Sequence, residues 1–163
     1  MFVARHFAHH HDTVTDILSL THDERVRSRS NAVLPCGDVL SIDLPKGNVL
    51  KQGDKLTAED GASRRVIEIM DAHEHLTEIR ECDGLLIARA TYHLGNRHVA
   101  LDIQREGEEF ILRLKHDHVL EAMLEGLGLR VTPVSAPFRP EGGAYGSHGH
   151  SHNKQTATIH EFG

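Results

Sequence analysis

Histidine carries the first chemical signal in this sequence. Fifteen of the 163 residues are His, and apart from the isolated His22 they fall mostly in groups: His6 with His9, His10 and His11, then His73/His75, His93/His98 and His116/His118. The stretch "GSHGHSH" (146–152) adds His148, His150 and His152 at two-residue spacing, with His160 further on. Neutral imidazole is the commonest protein ligand for borderline divalent metals, so grouped histidines point to binding of Ni(II), Cu(II) or Zn(II). The Irving–Williams order favours copper at any such site and leaves the physiological metal open. Cys36 and Cys82 stand far apart and outside any C-x-x-C pair, which argues against a thiolate zinc site. Both are expected as buried or half-buried thiols. No H-E-x-x-H, G-x-S-x-G or P-loop pattern accompanies the histidines, so no catalytic residue is nominated.

The positions differ in how firmly they are held. In "HLGNRH" (93–98), His93 occupies the last turn of an expected helix, where an imidazolium also interacts favourably with the helix dipole. Gly95 is expected to close that helix in left-handed geometry, and His98 to follow where the chain re-enters a strand. A loop His between rigid elements is fixed in place while its ring stays accessible. One imidazole does not hold an ion tightly, but two copies across a two-fold axis supply two ligands. In "KHDHV" (115–119), His116 and His118 share one side if the segment is extended. Asp117 between them is a helix cap, so the pair fits a secondary metal site or a plain polar strand end equally well. The tail has the highest ligand density and the least pre-organisation, because ordering each residue costs ~1–2 kcal/mol of backbone entropy. Weak, exchangeable binding follows from that. "HEH" (73–75) reads as structural or linker, and "HHH" (9–11) as part of a flexible head without clear period.

The elements that must position these side chains change character along the chain. From about residue 14, short alternating strands such as "VLSIDLP" (39–45), "KLT" and "RRVIEI" are divided by turns at 45–48, 52–54 and 59–61, which predicts a small all-β unit. After residue 75 the order becomes strand (76–81), helix (83–95, capped by Asp83), strand (98–104) and strand (109–116). A helix (117–128) follows, capped by Asp117 and striped by Val119, Leu120, Met123, Leu124 and Leu127, and then a strand (129–134). That β-α-β-β-α-β order is the ferredoxin-like motif. The predicted class is α+β, with a β-rich domain over 1–75, a ferredoxin-like domain over 76–140 and a flexible His-containing tail over 141–163.

Composition narrows the function classes. The content of 39% hydrophobic and 26% charged residues suits a globular protein, and the absence of Trp implies a mostly aliphatic core. A net charge of −6 argues against nucleic acid as a partner. No apolar run approaches the ~20 residues of a membrane span, and "MFVARHFAHHH" lacks the apolar core of a signal peptide. A cytoplasmic location without membrane association is therefore expected.

"YHLGNRH" (92–98), "HDHVLEAMLEGLG" (116–128) and "PFRPEGGAYG" (137–146) together resemble the urease accessory nickel metallochaperone family, UreE. "LTHDERVRSRS" (20–30) and "DLPKGNVLKQGDKL" (43–56) extend the resemblance through the first domain. It implies a homodimer with an N-terminal peptide-binding domain and a C-terminal metal-binding and dimerisation domain. His98 from each subunit would form a shared nickel site, with His148, His150 and His152 as further ligands. His93, His116 and His118 would be possible secondary ligands. Nickel would pass to the urease accessory GTPase and the apo-urease activation complex, so the resemblance implies a carrier and not an enzyme. Two other readings fit the residues: a general zinc or copper buffer, and a metal-dependent hydrolase built on His98 and His93.

Overall fold

The computed structural model describes residues 1–142, so the tail histidines of 148–152 and His160 lie outside the described residues. The first unit contains β1 (Phe2–Phe7), β2 (Asp16–Leu20), α1 (His22–Arg25), β3 (Arg29–Val33), β4 (Val39–Asp43), β5 (Lys55–Glu59) and β6 (Arg64–Asp71). These strands form one six-stranded sheet in the order β2-β6-β5-β1-β4-β3. The β1/β4 and β2/β6 pairs are parallel and the others antiparallel. Alternation drives the inward residues Leu18 and Leu20, Leu40 and Ile42, Leu56 and Ala58, and Ile67 and Ile69 into a single aliphatic core.

The expected flexible head is corrected by this sheet. Residues 2–7 form β1, which lies between β5 and β4. Its inward side chains, Phe2 and Ala4, are buried, while Arg5, His6 and Phe7 face out. Only two residues mark the apolar face and one of them is alanine, so local pattern gave no strand signal.

The second unit contains β7 (His73–Glu81), α2 (Gly84–Gly95), β8 (Asp102–Glu106), β9 (Glu109–Lys115), α3 (His118–Gly126) and β10 (Val131–Pro137). Its sheet is antiparallel throughout, in the order β10-β7-β9-β8. Ile79, Leu112 and Leu114 on one face pack with Ile87, Ala90 and Leu94 of α2 and with Leu124 of α3. The fold is thus mixed α+β and mostly sheet. The opposite face carries an ion-pair ladder: Arg113 and Arg80 both hold Glu78 at 2.8 Å, and Arg80 reaches on to Glu106 at 2.8 Å. Burial pushes the Glu78 carboxyl up, but the hydrogen bonds from Arg80 and Arg113 outweigh it and hold the group below the ordinary carboxylate range.

Several expected boundaries shift. The strand expected from residue 98 begins at Asp102, and the final strand runs over Val131–Pro137. Of the expected α3 stripe, Leu124 is buried, Leu120, Met123 and Leu127 are partly buried, and Val119 in the first turn faces solvent. Both cysteines are free and exposed, contrary to expectation. Cys36 sits in the turn before β4 beside Arg65 (3.2 Å), and Cys82 precedes the cap of α2.

Only Ala72 separates β6 from β7, and a buried ion cluster braces the joint. Arg25 of α1 lies 3.2 Å from Asp71, off the line of a hydrogen bond, and donates to the carbonyl of Phe138 at 2.7 Å. Arg139 supplies Asp71 with a second cation. The His22 amide donates to Glu74 (2.7 Å), and its ring meets the buried Phe138 edge-on. The end of β10 and the start of β7 are thereby tied to the first unit.

Candidate metal centre

Antiparallel order gathers the histidines of the second unit. The start of β7, the end of α2, the start of β8, the end of β9 and the start of α3 all fall at one end of the sheet. His73, His75, His93, His98, His116 and His118 are carried there by five different segments.

His98 owes its position to how α2 stops. The helix begins at Asp83, whose side chain accepts from the amides of Leu85 (2.8 Å) and Leu86 (3.3 Å). It buries Ile87, Ala90 and Leu94 and frays beyond Gly95. There the amide of His98 bonds the Gly95 carbonyl (2.9 Å) and the amide of Val99 reaches back to Leu94 (3.2 Å). That pair of bonds is a Schellman closure with His98 at its left-handed position. His98 has φ 55°, and among the described residues it is the one non-glycine with positive φ. Gly95, expected to take that conformation, remains inside the helix. A side chain at such a position costs ~1–2 kcal/mol, although His tolerates it better than most. The exposed imidazole is therefore held by backbone geometry alone. His93, half-buried in the last helical turn, packs edge-on against Tyr92, and its carbonyl accepts from Arg97 (3.1 Å).

The chain returns to this loop after β10. The Arg139 amide donates to the buried Asp102 carboxylate (3.2 Å), and the Glu141 amide to the Leu101 carbonyl (2.7 Å). The segment leading towards the tail is thus stitched a few residues from His98. Nothing in the local pattern of "PFRPEGG" announces these long-range bonds.

His116 follows β9, and its Nδ1 lies 2.9 Å from a Glu121 carboxylate oxygen. The buried Thr77 hydroxyl donates to the same oxygen, and its bond, followed by that of His116, keeps the Glu121 carboxyl below its ordinary range. The His116 ring stacks on His75, with centroids 5.2 Å apart and planes at 23°. His118 is the first residue of α3, so strand alternation does not continue to it from His116. Asp117 caps α3, accepting from the amides of Val119 (2.8 Å) and Leu120 (3.1 Å), which occupies the carboxylate as its cap position implies. "HEH" belongs to β7 and not to a linker.

Elsewhere, His9 and His11 stack in parallel at 5.4 Å. Their loop is pinned by Lys55, which donates to the carbonyls of His10 (2.8 Å) and Asp12 (3.0 Å), and by Asp12, which pairs with Arg64. Two cations beside this pair oppose a third. Among the described residues no three His, Cys, Asp or Glu side chains converge on one point. No described helix is long and apolar enough to cross a membrane.

These features define a two-unit α+β protein that presents histidines at one end of its second sheet. The profile of the UreE urease accessory protein N-terminal domain matches residues 3–69, and that of the C-terminal domain matches residues 74–162. Similar proteins include the urease accessory protein UreE of Dechloromonas aromatica (strain RCB), 48% identical over 91% of this chain and 84% of the relative. The urease accessory protein UreE of Citrobacter koseri is 46% identical over 86% of this chain and 88% of the relative. The chain belongs to the UreE family of urease accessory proteins. Its role lies in urease maturation, as an accessory protein and not as the enzyme.

Proposed function

We propose that this chain is a nickel metallochaperone, a homodimer that binds Ni(II) between two copies of His98 and delivers it to the urease accessory GTPase and the apo-urease activation complex in the cytoplasm. The observation that carries this reading is the left-handed closure at His98. It fixes an exposed imidazole at the rigid end of α2 without engaging its ring. A single such ligand is incomplete, and a two-fold axis supplies the second. Leu85 and Tyr92, 71% and 66% exposed on α2, offer apolar surface for that contact.

The βαββαβ unit, with its 4-1-3-2 antiparallel order, fits the ferredoxin-like metal-binding domain proposed for residues 76–140. The mixed sheet fits a peptide-binding domain over 1–75. His148, His150 and His152 follow the Glu141–Leu101 stitch closely in sequence. His148 is seven residues beyond Glu141, a reach of up to ~25 Å, enough to complete the coordination shell at His98. Stepwise replacement of one imidazole by another then passes the ion on without releasing it to water. His93, His116 and His118 remain secondary donors in this reading.

Nickel titration of the wild type and His98→Ala, read with light-scattering mass, tests the assignment. The substitution is expected to weaken the tightest site by more than about 100-fold, beyond the loss usual for an outer-shell partner. Truncation after Tyr145 is expected mainly to lower stoichiometry. A truncated protein without tight nickel binding overturns the His98 platform. A pull-down with apo-urease complex separates a dedicated carrier from a general zinc or copper buffer, which would show no such preference.

A further inference from the structure

The joint that fastens the two units borders an open cleft of about 520 Å³, within the roughly 300–1,000 Å³ usual for small-ligand sites. His22, Arg25, Lys51 and Asp71 of the first unit line it, and Arg139 and Pro140 line it from the segment after β10. Charge on this lining is lopsided. Arg25, its side chain 6% exposed, and Arg139 share the carboxylate of Asp71, which is 1% exposed. Two guanidinium groups on one acid leave a positive charge over, and Lys51 at the exposed rim adds a second. Among the described residues Arg25 Nε and Asp71 Oδ1 have no hydrogen-bond partner, so even this pair meets by charge alone. Two acids behind the lining are occupied elsewhere. Asp102 accepts from the Arg139 amide (3.2 Å) and Gln104 (3.0 Å), and Glu74 from the His22 amide (2.7 Å). Surplus positive charge thus collects at one partly buried place in a chain of net charge −6. Burial makes such a surplus costly until an anion offsets it.

We infer that this cleft binds a small organic dianion, two carboxylates on a short carbon skeleton, across the joint between the units. Donors remain for it. Arg139 gives Nε to Asp71 and Nη2 to Gln52 (2.7 Å), which leaves its Nη1 without a partner among the described residues. The Lys51 ammonium has none among them either; its backbone amide is the group that donates to Asp54 (2.8 Å). Burial, the main cause of its lowered pKa, keeps the His22 imidazole neutral at pH 7, so it offers an N–H without adding charge. Two carboxylates match the two surplus charges, whereas one would leave a charge over. The rest of the wall is apolar. Exposed Val49 and the Pro140 ring suit a carbon skeleton, and an inorganic anion would leave that surface unused. Because the lining comes from both units, the ligand ties them together, and its binding energy stabilises the joint by mass action.

The test uses the full chain free of metal, so its result stands apart from the nickel reading and from His98. Calorimetric titration with succinate is expected to show saturable binding of one molecule per chain. Acetate and inorganic sulfate are expected to bind more weakly by about tenfold or more. Lys51→Gln is expected to weaken succinate by about tenfold, the loss of one charge-assisted hydrogen bond. Val49→Glu sets a negative charge on the exposed wall and is expected to abolish binding. Melting curves without ligand check that both variants fold. Succinate should then raise the melting temperature of the wild type and leave that of Val49→Glu unchanged. Equal affinity for succinate and sulfate would overturn the inference, as would unchanged binding in Val49→Glu or Lys51→Gln. Tighter binding of a blocked Glu-Glu dipeptide than of succinate would assign the cleft to acidic peptide and overturn the small-molecule ligand.

Discussion

Two imidazoles at the same end of the second sheet are held by opposite means. His98 is positioned by its own backbone: a helix ends, the chain turns left-handed and the side chain projects without polar support. His116 sits on ordinary backbone and is positioned through its ring, by a carboxylate that a buried hydroxyl fixes. Backbone placement leaves both ring nitrogens open, so it suits a ligand shared with another chain. Side-chain placement commits one nitrogen and aims the other, so it suits a site formed within one chain.

Both arrangements belong to the unit that the joint ties to the first sheet, and breaking that joint should produce the largest effect. Asp71→Ala leaves Arg25, whose side chain is 6% exposed, without its counter-charge. Loss of about 3–5 kcal/mol is expected in chemical denaturation, because a buried charge is left unpaired. A loss below about 1 kcal/mol would show that Asp71 does not brace the two units.

A smaller effect isolates the backbone term at His98. His98→Gly and His98→Ala both remove the ligand, but only glycine adopts φ 55° without strain. The glycine variant should be the more stable of the two by about 1 kcal/mol, partly offset by its freer unfolded chain. Equal stabilities would mean that the left-handed turn stores no strain and that His98 is not held in the manner described.

The smallest effect concerns pH. Burial first, and then the charge of Arg25, holds the His22 imidazole below its ordinary pKa. The folded state therefore takes up a proton less readily than the unfolded chain. The associated stability is complete above the unfolded value of about 6.5 and is lost as pH falls through it towards the lower folded value. His22→Gln should flatten the fall in melting temperature between about pH 7.5 and 5.5 relative to wild type. An unchanged slope would assign that fall to other groups.

What the sequence disclosed follows the range of the interactions involved. The caps Asp83 and Asp117 were legible because a cap and its amides lie within three residues of each other. The β-α-β-β-α-β order was legible from local period. β1 was hidden because its place depends on partners far along the chain. Gly95 was the natural choice for the left-handed stop, and the helix runs through it, so the strain falls on a residue that local rules would not select. The opposition of His75 and His116 needed the β7/β9 register, which no short stretch contains. His98 itself was legible as a fixed loop histidine, although the means of fixing it was not.

The Glu141–Leu101 bond has a consequence for measurement. Its amide proton is shielded only while the chain beyond β10 stays against the start of β8. Its exchange with solvent deuterium is therefore a one-atom clock for release of that segment. Slower exchange on adding nickel would mean that loading draws the segment in, and faster exchange that loading sets it free.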